Sequence, residues 1–305
     1  PNSVISIDFS AFFDCTSLTS ITLPENLTSI SNQAFQGCSS LTSITIPDGV
    51  TEIENSTFAY CTSLTSITLP ENLTSIGGGA FYGCTSLTSI NIPDGVTSIG
   101  METFSDCSSL TSINIPDGVT FIDKNTFDGC TSLTSITIPD GVTKIGAGAF
   151  SSCRVLTSIN IPDGVTSIDD YTFQGCSSLA SINIPRGVTS IGYQAFYACS
   201  SLASINIPSD VTSIGDYAFY ACSFTSIILP YSVISIGDYA FSRCCYLSEV
   251  TCNATTPPSL GSEAFEGIAL YVSSSPLLIV PTGCSTAYNA SDWAQYFTTI
   301  EEATR

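Results

Sequence analysis

The sequence predicts a repeat solenoid of short strands and helical or 3-10 turns, with a small helical cap at the carboxyl end. A 23-residue period runs through most of the 305 residues. Such a period is typical of stacked coils, because one short repeat buries its apolar side only against its neighbours. Cysteine marks the period at Cys15, Cys38, Cys61, Cys84, Cys107, Cys130, Cys153, Cys176, Cys199 and Cys222.

Phenylalanine follows the same period, three residues before each of these cysteines. A one-residue deletion near Phe224 accounts for the shorter step from Phe219 to Phe241. We expect both columns to face the core, where cysteine acts as a small apolar side chain. Ile268, in the cysteine slot of the last repeat, favours this structural interpretation. The full column is Phe12, Phe35, Phe58, Phe81, Phe104, Phe127, Phe150, Phe173, Phe196, Phe219, Phe241 and Phe265.

Each repeat is expected to contain two extended pieces separated by a turn. Ile44 and Ile46 alternate with threonine, as in a strand with one buried face, and Pro47 ends that strand because proline lacks the ladder N–H. The Pro-Asp-Gly or Pro-Glu-Asn of each repeat predicts a turn. Val50 and Ile53 then predict a second short strand, and the A-F-x-x-C segment a single helical or 3-10 turn that closes the coil.

The repeat region is predicted to span residues 1–267. Pro1 aligns with Pro24 and Pro47, so the first repeat lacks its strand. We therefore expect the solenoid to start in mid-repeat and interpret the chain as a piece of a longer protein. A sheet edge left without its covering coil is prone to aggregation, which favours this interpretation.

Residues 268–305 are predicted to hold the last strand and a helical cap. The segment Leu278 to Pro281 repeats the strand pattern once more. Residues 285–305 have the pattern of an amphipathic helix with Ser291 as its N-cap. The apolar side of that helix would consist of Trp293, Tyr296, Phe297 and Ile300.

Composition argues against several classes of function. The chain carries 6 Lys plus Arg against 26 Asp plus Glu, and its formal net charge of -20 repels nucleic acids and anionic membrane surfaces. It contains no histidine, so it lacks the usual Ser-His-Asp and Cys-His catalytic sets. No apolar run reaches the length of a membrane span. We therefore expect a monomeric, non-enzymatic protein without cofactor or metal, which neither binds nucleic acid nor inserts into a membrane.

The repeat unit, L-x-x-I-x-I-P followed by A-F-x-x-C, resembles the leucine-rich repeats of BspA-like, or Treponema-type, surface proteins. The similarity covers residues 1 to about 267, and the tail from Ile279 to Gly283 with Trp293 to Tyr296 is similar to the terminal cap of bacterial members. The resemblance implies a leucine-rich-repeat right-handed β-solenoid, or horseshoe, that is secreted or on the cell surface. It also implies an adhesin for host matrix proteins such as fibronectin and fibrinogen, or for neighbouring-cell proteins.

Two other functions fit the sequence as well. The first is that of a structural spacer, in which the solenoid holds another domain of a larger surface protein away from the cell. The hydroxyl-rich strands also suit a glycan-binding module. Binding assays with matrix proteins and glycans separate these alternatives from an adhesin.

The segment around each phenylalanine varies most, and tyrosines gather there in the later repeats. Their recurrence near every 23 residues predicts a stripe on the convex or lateral surface. Tyrosine provides rigid amphipathic contact area, which suits partner binding, although these rings could also simply cover their own coil. The predicted stripe consists of Tyr171, Tyr193, Tyr197, Tyr217, Tyr220 and Tyr239.

The outward positions of the strands form a second, weaker candidate surface. In a leucine-rich repeat these positions line the concave face, and here they are uncharged and nearly identical between repeats. Aromatic or arginine anchors are scarce among them, so a solvated β-surface with hydrogen bonds between coils explains them equally well. The column includes Thr45, Thr68, Asn91, Asn114, Thr137, Asn160, Asn183 and Asn206.

Two further features have structural interpretations beside functional ones. An acidic column on the turns is a solvated ridge or, alternatively, a series of calcium ligands; it consists of Glu25, Asp48, Glu71, Asp94, Asp117, Asp140 and Asp163. Four cysteines lie off the column or at its end, where one disulfide could form: Cys244, Cys245, Cys252 and Cys284.

Overall fold

The computed structural model describes residues 3–272 and 275–303. Two compact units make up the chain, Pro1–Leu156 (unit 1) and Thr157–Arg305 (unit 2). Each unit is a parallel β-solenoid, because its short strands pair with the same strand of the next coil. Pro1, on which the expected mid-repeat start depends, lies outside the described residues.

Unit 1 pairs equivalent positions of successive repeats, as the 23-residue period predicts. Ile44 lies opposite Ile67 in one ladder and Ile53 lies opposite Ile76 in the other. The inward isoleucines are buried and the residues beside them are exposed or half-exposed. The strands are β1 Ser6–Ile7, β2 Ser29–Ile30, β3 Ser43–Thr45, β4 Glu52–Ile53, β5 Ser66–Thr68, β6 Ser75–Ile76, β7 Ser98–Ile99, β8 Ser112–Asn114, β9 Phe121–Ile122, β10 Ser135–Thr137 and β11 Lys144–Ile145.

Unit 2 has the same pattern and ends in the cap. Its elements are β12 Ser158–Asn160, β13 Ser181–Asn183, β14 Ser190–Ile191, β15 Ser213–Ile214, β16 Ser226–Leu229, β17 Ser235–Ile236, β18 Glu249–Cys252, β19 Ser259–Leu260, β20 Leu277–Val280, helix α1 Ser285–Asn289, a 3-10 helix Asp292–Gln295 and β21 Thr299–Glu302. Two four-stranded parallel sheets run through unit 2, β14-β15-β17-β19 and β16-β18-β20-β21.

The deletion near Phe224 is confirmed by the strand register. Ser190 pairs with Ser213, 23 residues on, but Ser213 pairs with Ser235, which is only 22 residues on. Phe224 is fully buried, and its ring meets that of Phe219 edge-on with 5.6 Å between the centroids. This coil is one residue shorter than those before it, and Phe224 fills its core with a larger side chain than the leucine of the preceding repeats.

The segment before and after each phenylalanine forms successive turns. Ala34 N donates to Ser31 O, a bond of the 3-10 type, whereas Phe35 N donates to Thr57 O in the next coil. Gln33 and Gly37 have φ of 60° and 76°, in the left-handed region that ends a helix. The segment therefore forms a single 3-10 turn. Along it, every second backbone N–H bonds within the turn, and the N–H groups between them bond the neighbouring coil.

The core of each unit is a continuous stack of phenylalanine rings. In unit 1 the rings from Phe12 to Phe150 lie 5.0 to 5.8 Å apart, with interplanar angles of 2° to 8°. In unit 2 the rings from Phe173 to Phe265 lie 5.0 to 5.4 Å apart. These separations are close to the strand spacing of a sheet, so the ring stack and the ladders advance together.

The carboxyl cap agrees with the sequence prediction only in part. Ser291 is the N-cap, and its Oγ accepts from Trp293 N, but only a 3-10 helix follows it. The expected helix over residues 285–305 is wrong beyond Phe297, because β21 pairs in parallel with β20 instead. This pairing occupies backbone groups that β20, as the last strand of its sheet, would leave without partners.

Two buried hydrogen bonds hold the cap on the last coils. Trp293 Nε1 donates to Pro258 O at 2.9 Å, and Tyr288 Oη donates to Ala254 O at 2.8 Å. Both rings are fully buried, and that of Trp293 lies 5.3 Å from that of Phe265. The cap therefore closes the phenylalanine stack with aromatic side chains whose polar atoms are satisfied.

We expect Phe104→Ala to lower the free energy of unfolding by about 3 to 5 kcal/mol, since it opens a cavity in the stack. Phe121→Thr is the control, because Phe121 is 40% exposed on β9, and threonine retains strand propensity there. We expect it to change stability by less than about 1 kcal/mol. Urea unfolding followed by circular dichroism measures both, and equal losses would show that Phe104 is not a core residue.

Candidate binding surface

The backbone of each coil sets the direction of the tyrosines in unit 2. Two residues before each phenylalanine the chain takes positive φ, and this position is occupied by Tyr171 (59°), Tyr217 (56°) and Tyr239 (55°). Tyr193 lies one residue earlier in its own repeat. All four side chains are therefore carried on a sharp turn at the edge of the coil.

The six tyrosines make one continuous set of ring contacts. Tyr193 lies between Tyr171 and Tyr217, with centroids at 5.1 and 6.0 Å and the rings nearly perpendicular. Tyr217 then stacks on Tyr239 at 4.7 Å. Tyr217 also contacts Tyr220 at 5.7 Å, and Tyr220 stacks on Tyr197 at 4.9 Å. We call this set the tyrosine patch: Tyr171, Tyr193, Tyr197, Tyr217, Tyr220 and Tyr239.

Aspartates occupy the position just before the tyrosines of the turn, and they bond the next coil. Asp170 Oδ1 accepts from Tyr193 N at 2.7 Å, and Asp238 Oδ1 accepts from Ser262 N at 2.6 Å. In unit 1, Asn55 Oδ1 accepts from Gly78 N in the same way. The side-chain oxygen is thus a structural link between coils, and in unit 2 it also places negative charge beside the rings.

Desolvation and nearby carboxylates raise the phenol pKa values of Tyr171, Tyr217 and Tyr239. For Tyr171 the pKa is raised mainly by desolvation, with further contributions from Tyr193 and Asp170. For Tyr239 the pKa is raised mainly by the charge of Glu263. The phenols of Tyr171, Tyr217 and Tyr239 therefore stay protonated at neutral pH and are able to donate hydrogen bonds.

Sequence reasoning missed two kinds of residue around the patch. Arg243 lies over the Tyr220 ring, with its guanidinium carbon 5.7 Å from the centroid, because its repeat brings it beside the tyrosine of the preceding coil. Gln194 Nε2 donates to Tyr193 Oη at 2.9 Å and fixes that ring. Neither residue belongs to a repeated column, so the 23-residue period gave no signal for them.

A smaller aromatic pair, also missed, lies in unit 1. Tyr60 and Tyr82 meet edge-on with centroids 5.1 Å apart. Burial, together with Asp106 and Tyr60, raises the pKa of Tyr82 to about 12. The pair adjoins an opening of about 300 Å³ that Gln36 and Glu102 also line.

The predicted concave columns are exposed in both units. In unit 1, Asn91, Asn114 and Thr137 line one open groove of about 430 Å³ together with the serines and isoleucines of their strands. Thr45 lies in a separate groove of about 460 Å³. Thr68 is exposed on β5, and in unit 2 the exposed residues are Asn160, Asn183 and Asn206. The structure therefore joins only part of each column into a common site.

Threonines just before several strands bond between coils. Thr65 Oγ1 donates to Thr42 O at 3.0 Å, and Thr134 Oγ1 donates to Thr111 O at 3.1 Å. Thr74 Oγ1 donates to Thr51 O at 3.0 Å in a second ladder before the shorter strands. Much of the hydroxyl content of the repeat therefore serves the stacking of the coils.

Sequence and structure comparisons identify the family. The model of the BspA type leucine-rich repeat region (6 copies) matches residues 1–111, 97–223 and 212–276. The chain belongs to this family. Comparison with curated proteins gives no match. This BspA-type chain is 30% identical to a leucine-rich repeat protein from Bacteroides ovatus, over 99% of this chain and 88% of that one, with a TM-score of 0.64.

Two other solved structures are similar to this BspA-type chain. A leucine-rich cell surface protein from Faecalibacterium prausnitzii is 33% identical, over 82% of this chain and 69% of that one, with a TM-score of 0.53. The pneumococcal vaccine antigen PcpA, at 20% identity, shares the fold over 94% of this chain and 80% of its own, with a TM-score of 0.60. Family membership indicates a role in protein binding or at a surface.

The cysteine column of this BspA-type chain is buried from Cys38 to Cys222, as predicted, whereas its first member, Cys15, is exposed. Cys61 Sγ donates to Phe35 O at 3.2 Å, and the same bond recurs along the column. Cys244, which was expected off the column or at its end, continues the column, because its Sγ donates to Phe219 O after the one-residue deletion. No disulfide joins any of the fourteen cysteines, all of which lie in the described residues, so the disulfide left open by the sequence is not formed.

No group of three or more Cys, Asp or Glu side chains in residues 3–272 and 275–303 is arranged to hold a metal ion. The acidic column is exposed along the turns. Within the same residues, no helix has both the length and the apolar character that crossing a bilayer requires.

We predict that only three thiols of the native protein react quickly with Ellman's reagent at pH 8. Cys15 is exposed, and Cys245 and Cys284 are partly exposed, whereas the other eleven are buried. Burial also raises the pKa of Cys61 and Cys107 to about 12, which keeps them as unreactive thiols. In denaturant all fourteen should react; more than three fast thiols in the native protein would contradict a buried column.

The same pKa shifts predict that stability falls with pH above about 9. The folded state keeps the protons of Cys61 and Cys107, whose pKa values are near 12, while the unfolded thiols ionise near 9. Each such thiol lowers the free energy of unfolding by about 1.4 kcal/mol per pH unit across that window. Urea midpoints at pH 8, 9.5 and 10.5 measure the decline, which should be shallower in Cys61→Ala/Cys107→Ala; equal slopes would refute this source.

Proposed function

We propose that this chain is the exported ectodomain of a non-catalytic surface protein, and that it binds a partner protein through the tyrosine patch. The single observation that carries the proposal is the contiguity of the patch: six rings from four repeats in unbroken contact. Clustered tyrosines are typical of protein interfaces, because they offer large, rigid, amphipathic area at low entropic cost.

The solenoid itself does not need these tyrosines. In unit 1 the positions equivalent to Tyr171, Tyr217 and Tyr239 carry Gln33, Ser56, Gly79, Glu102, Asn125 and Gly148, all with positive φ. A non-glycine residue in this conformation costs roughly 1 to 2 kcal/mol, and glycine or asparagine fits it best. Tyrosines placed there repeatedly, at some expense in stability, favour a role in recognition.

The partner class follows from the family. The resemblance to BspA-like adhesins favours a host matrix protein or a protein of a neighbouring cell, and the similar protein from Faecalibacterium prausnitzii is a cell surface protein. The net charge of -20 favours a protein partner over nucleic acid or an anionic lipid surface. We place the chain at the cell surface or in the secreted fraction on these grounds.

Glycan binding is a second candidate, favoured by the groove of Asn91, Asn114 and Thr137. It is open, about 430 Å³ in volume, and lined by amide and hydroxyl groups of the kind that bond sugar hydroxyls. A glycan array tests it with Asn91→Ala/Asn114→Ala as the variant. A chain that binds neither proteins nor glycans would instead be a structural spacer.

We expect Tyr193→Ser/Tyr217→Ser/Tyr239→Ser to weaken binding to immobilised fibronectin, fibrinogen or whole cells at least tenfold, because it removes the centre of the patch. Surface plasmon resonance and adherence counts measure the loss, and circular dichroism confirms folding. The matched control changes three tyrosines of the same unit that lie outside the patch and are 70%, 45% and 70% exposed: Tyr231, Tyr246 and Tyr271.

The control triple should bind within about twofold of the unchanged protein. Equal losses in both triples would show that tyrosine content, not the patch, governs binding. Retained binding in the patch triple would remove the patch from the proposed function.

A further inference from the structure

One ring of the tyrosine patch is already in contact with an arginine of the same chain. Arg243 places its guanidinium 5.7 Å from the centre of the Tyr220 ring, a cation–π distance. Arg243 is itself exposed. One ring of the patch, that of Tyr220, therefore already holds a guanidinium.

Carboxylates lie beside three other rings of the patch, those of Tyr171, Tyr217 and Tyr239. Asp170 and Asp238 are held beside the rings by bonds from Tyr193 N and Ser262 N to one carboxylate oxygen of each. Glu263 is exposed and acts on the Tyr239 phenol. Asp216 Oδ1 is held in the same way by Asp238 N at 2.8 Å. Several fixed negative charges thus border an aromatic surface.

Aromatic rings bordered by carboxylates are complementary to arginine. A planar guanidinium stacks on a ring face and bonds a carboxylate with two N–H groups at once, which an ammonium group does less well. The chain supplies few cations of its own, with 6 Lys plus Arg against 26 Asp plus Glu. A segment that brings arginine to the patch therefore gains both stacking and charge attraction.

We propose that the tyrosine patch, with Asp170, Asp238 and Glu263 at its border, binds an arginine-containing segment of the partner protein. This inference rests on the proposed function, since it names the chemistry that the same surface recognises. Arg243 occupies one ring of the site and reduces the area open to the partner. Its removal exposes Tyr220.

The test uses short peptides with the full chain at 150 mM salt. Ac-RGRGRG-NH2 is compared with Ac-KGKGKG-NH2 by isothermal titration calorimetry. The arginine peptide should bind at least threefold more tightly than the lysine peptide. Equal affinity for the two would overturn the proposal, because bulk attraction to a chain of charge -20 does not distinguish them.

The border is tested by Asp170→Asn/Asp238→Asn/Glu263→Gln. Asparagine retains the oxygen that accepts the N–H of the next coil, so the fold is preserved. The control removes the same number of charges from the acidic column of unit 1, in Asp94→Asn/Asp117→Asn/Asp140→Asn. The border variant should lose arginine-peptide binding at least tenfold and the control less than twofold; equal losses would overturn the proposal.

Arg243→Gln gives a result that bulk electrostatics does not predict. It frees the Tyr220 ring, so affinity for the arginine peptide should rise at least threefold. Arg186→Gln makes the same change of charge on an exposed turn of the same unit and should alter affinity by less than 1.5-fold. Equal effects of the two variants, or a loss in Arg243→Gln, would contradict an arginine site at the patch.

The two proposals fail separately. If the tyrosine triple loses adherence to partner proteins but the border variant retains it, the patch binds proteins without arginine recognition and only this inference fails. If peptide binding depends on the border and on Arg243 while the tyrosine triple retains adherence, the arginine site stands and the proposed function fails.

Discussion

Within each unit of this protein, every coil lies about one strand spacing from the next, and this separation constrains all of its side chains. The strand ladders require it, and the phenylalanine rings stack at 5.0 to 5.8 Å, close to the same value. The thiol of Cys61 reaches the carbonyl of Phe35 because the coils are this close. A change in one column therefore disturbs the others, since ladder, ring stack and thiol bonds share one separation.

That constraint leaves the outer turn positions free to vary. The backbone there is fixed with positive φ, but nothing in the core specifies the side chain, so Gly79 and Tyr217 occupy the same place in their coils. Where a side chain at such a position raises the conformational free energy of the turn, its presence indicates a role other than folding. Tyr171, Tyr217 and Tyr239 are costly in this sense, and the aspartate before each of them combines a structural bond with a charge at the surface.

Much of the fold could be predicted from the sequence because its signals are repeated. One alternation of Ile44 and Ile46 is weak evidence for a strand, but its recurrence with Pro47 and Phe58 fixes the coil. The cap has no such repetition. The apolar residues near Trp293 fit a helix by their spacing, and nothing local indicates that Ile300 pairs in parallel with Leu278 beyond two short helices. The missing information is the open edge of β20, which exists only once the coils are stacked.

The same reasoning explains what could be predicted of the candidate surface. Recurrence located the tyrosines, but Arg243 stands where other repeats carry glycine, aspartate, alanine, serine or tyrosine, so no column marks it. Tyr193 is displaced by one residue from the column of Tyr171, yet the structure brings its ring between two others. Contacts between different positions of neighbouring coils depend on side-chain length and direction, which periodicity does not encode.

A surface that repeats from coil to coil is poorly suited to bind a partner at one defined position. Along the row of Asn91, Asn114 and Thr137, a ligand that moves by one coil meets nearly the same groups, so several positions have similar free energy. The tyrosine patch lacks this degeneracy, because Tyr171 is at one end, Arg243 covers Tyr220 near the other, and Tyr193 interrupts the column between them. A partner displaced by one coil would lose ring contacts and meet a like charge. Specificity requires such differences between alternative positions, and in unit 2 they coincide with the tyrosine patch.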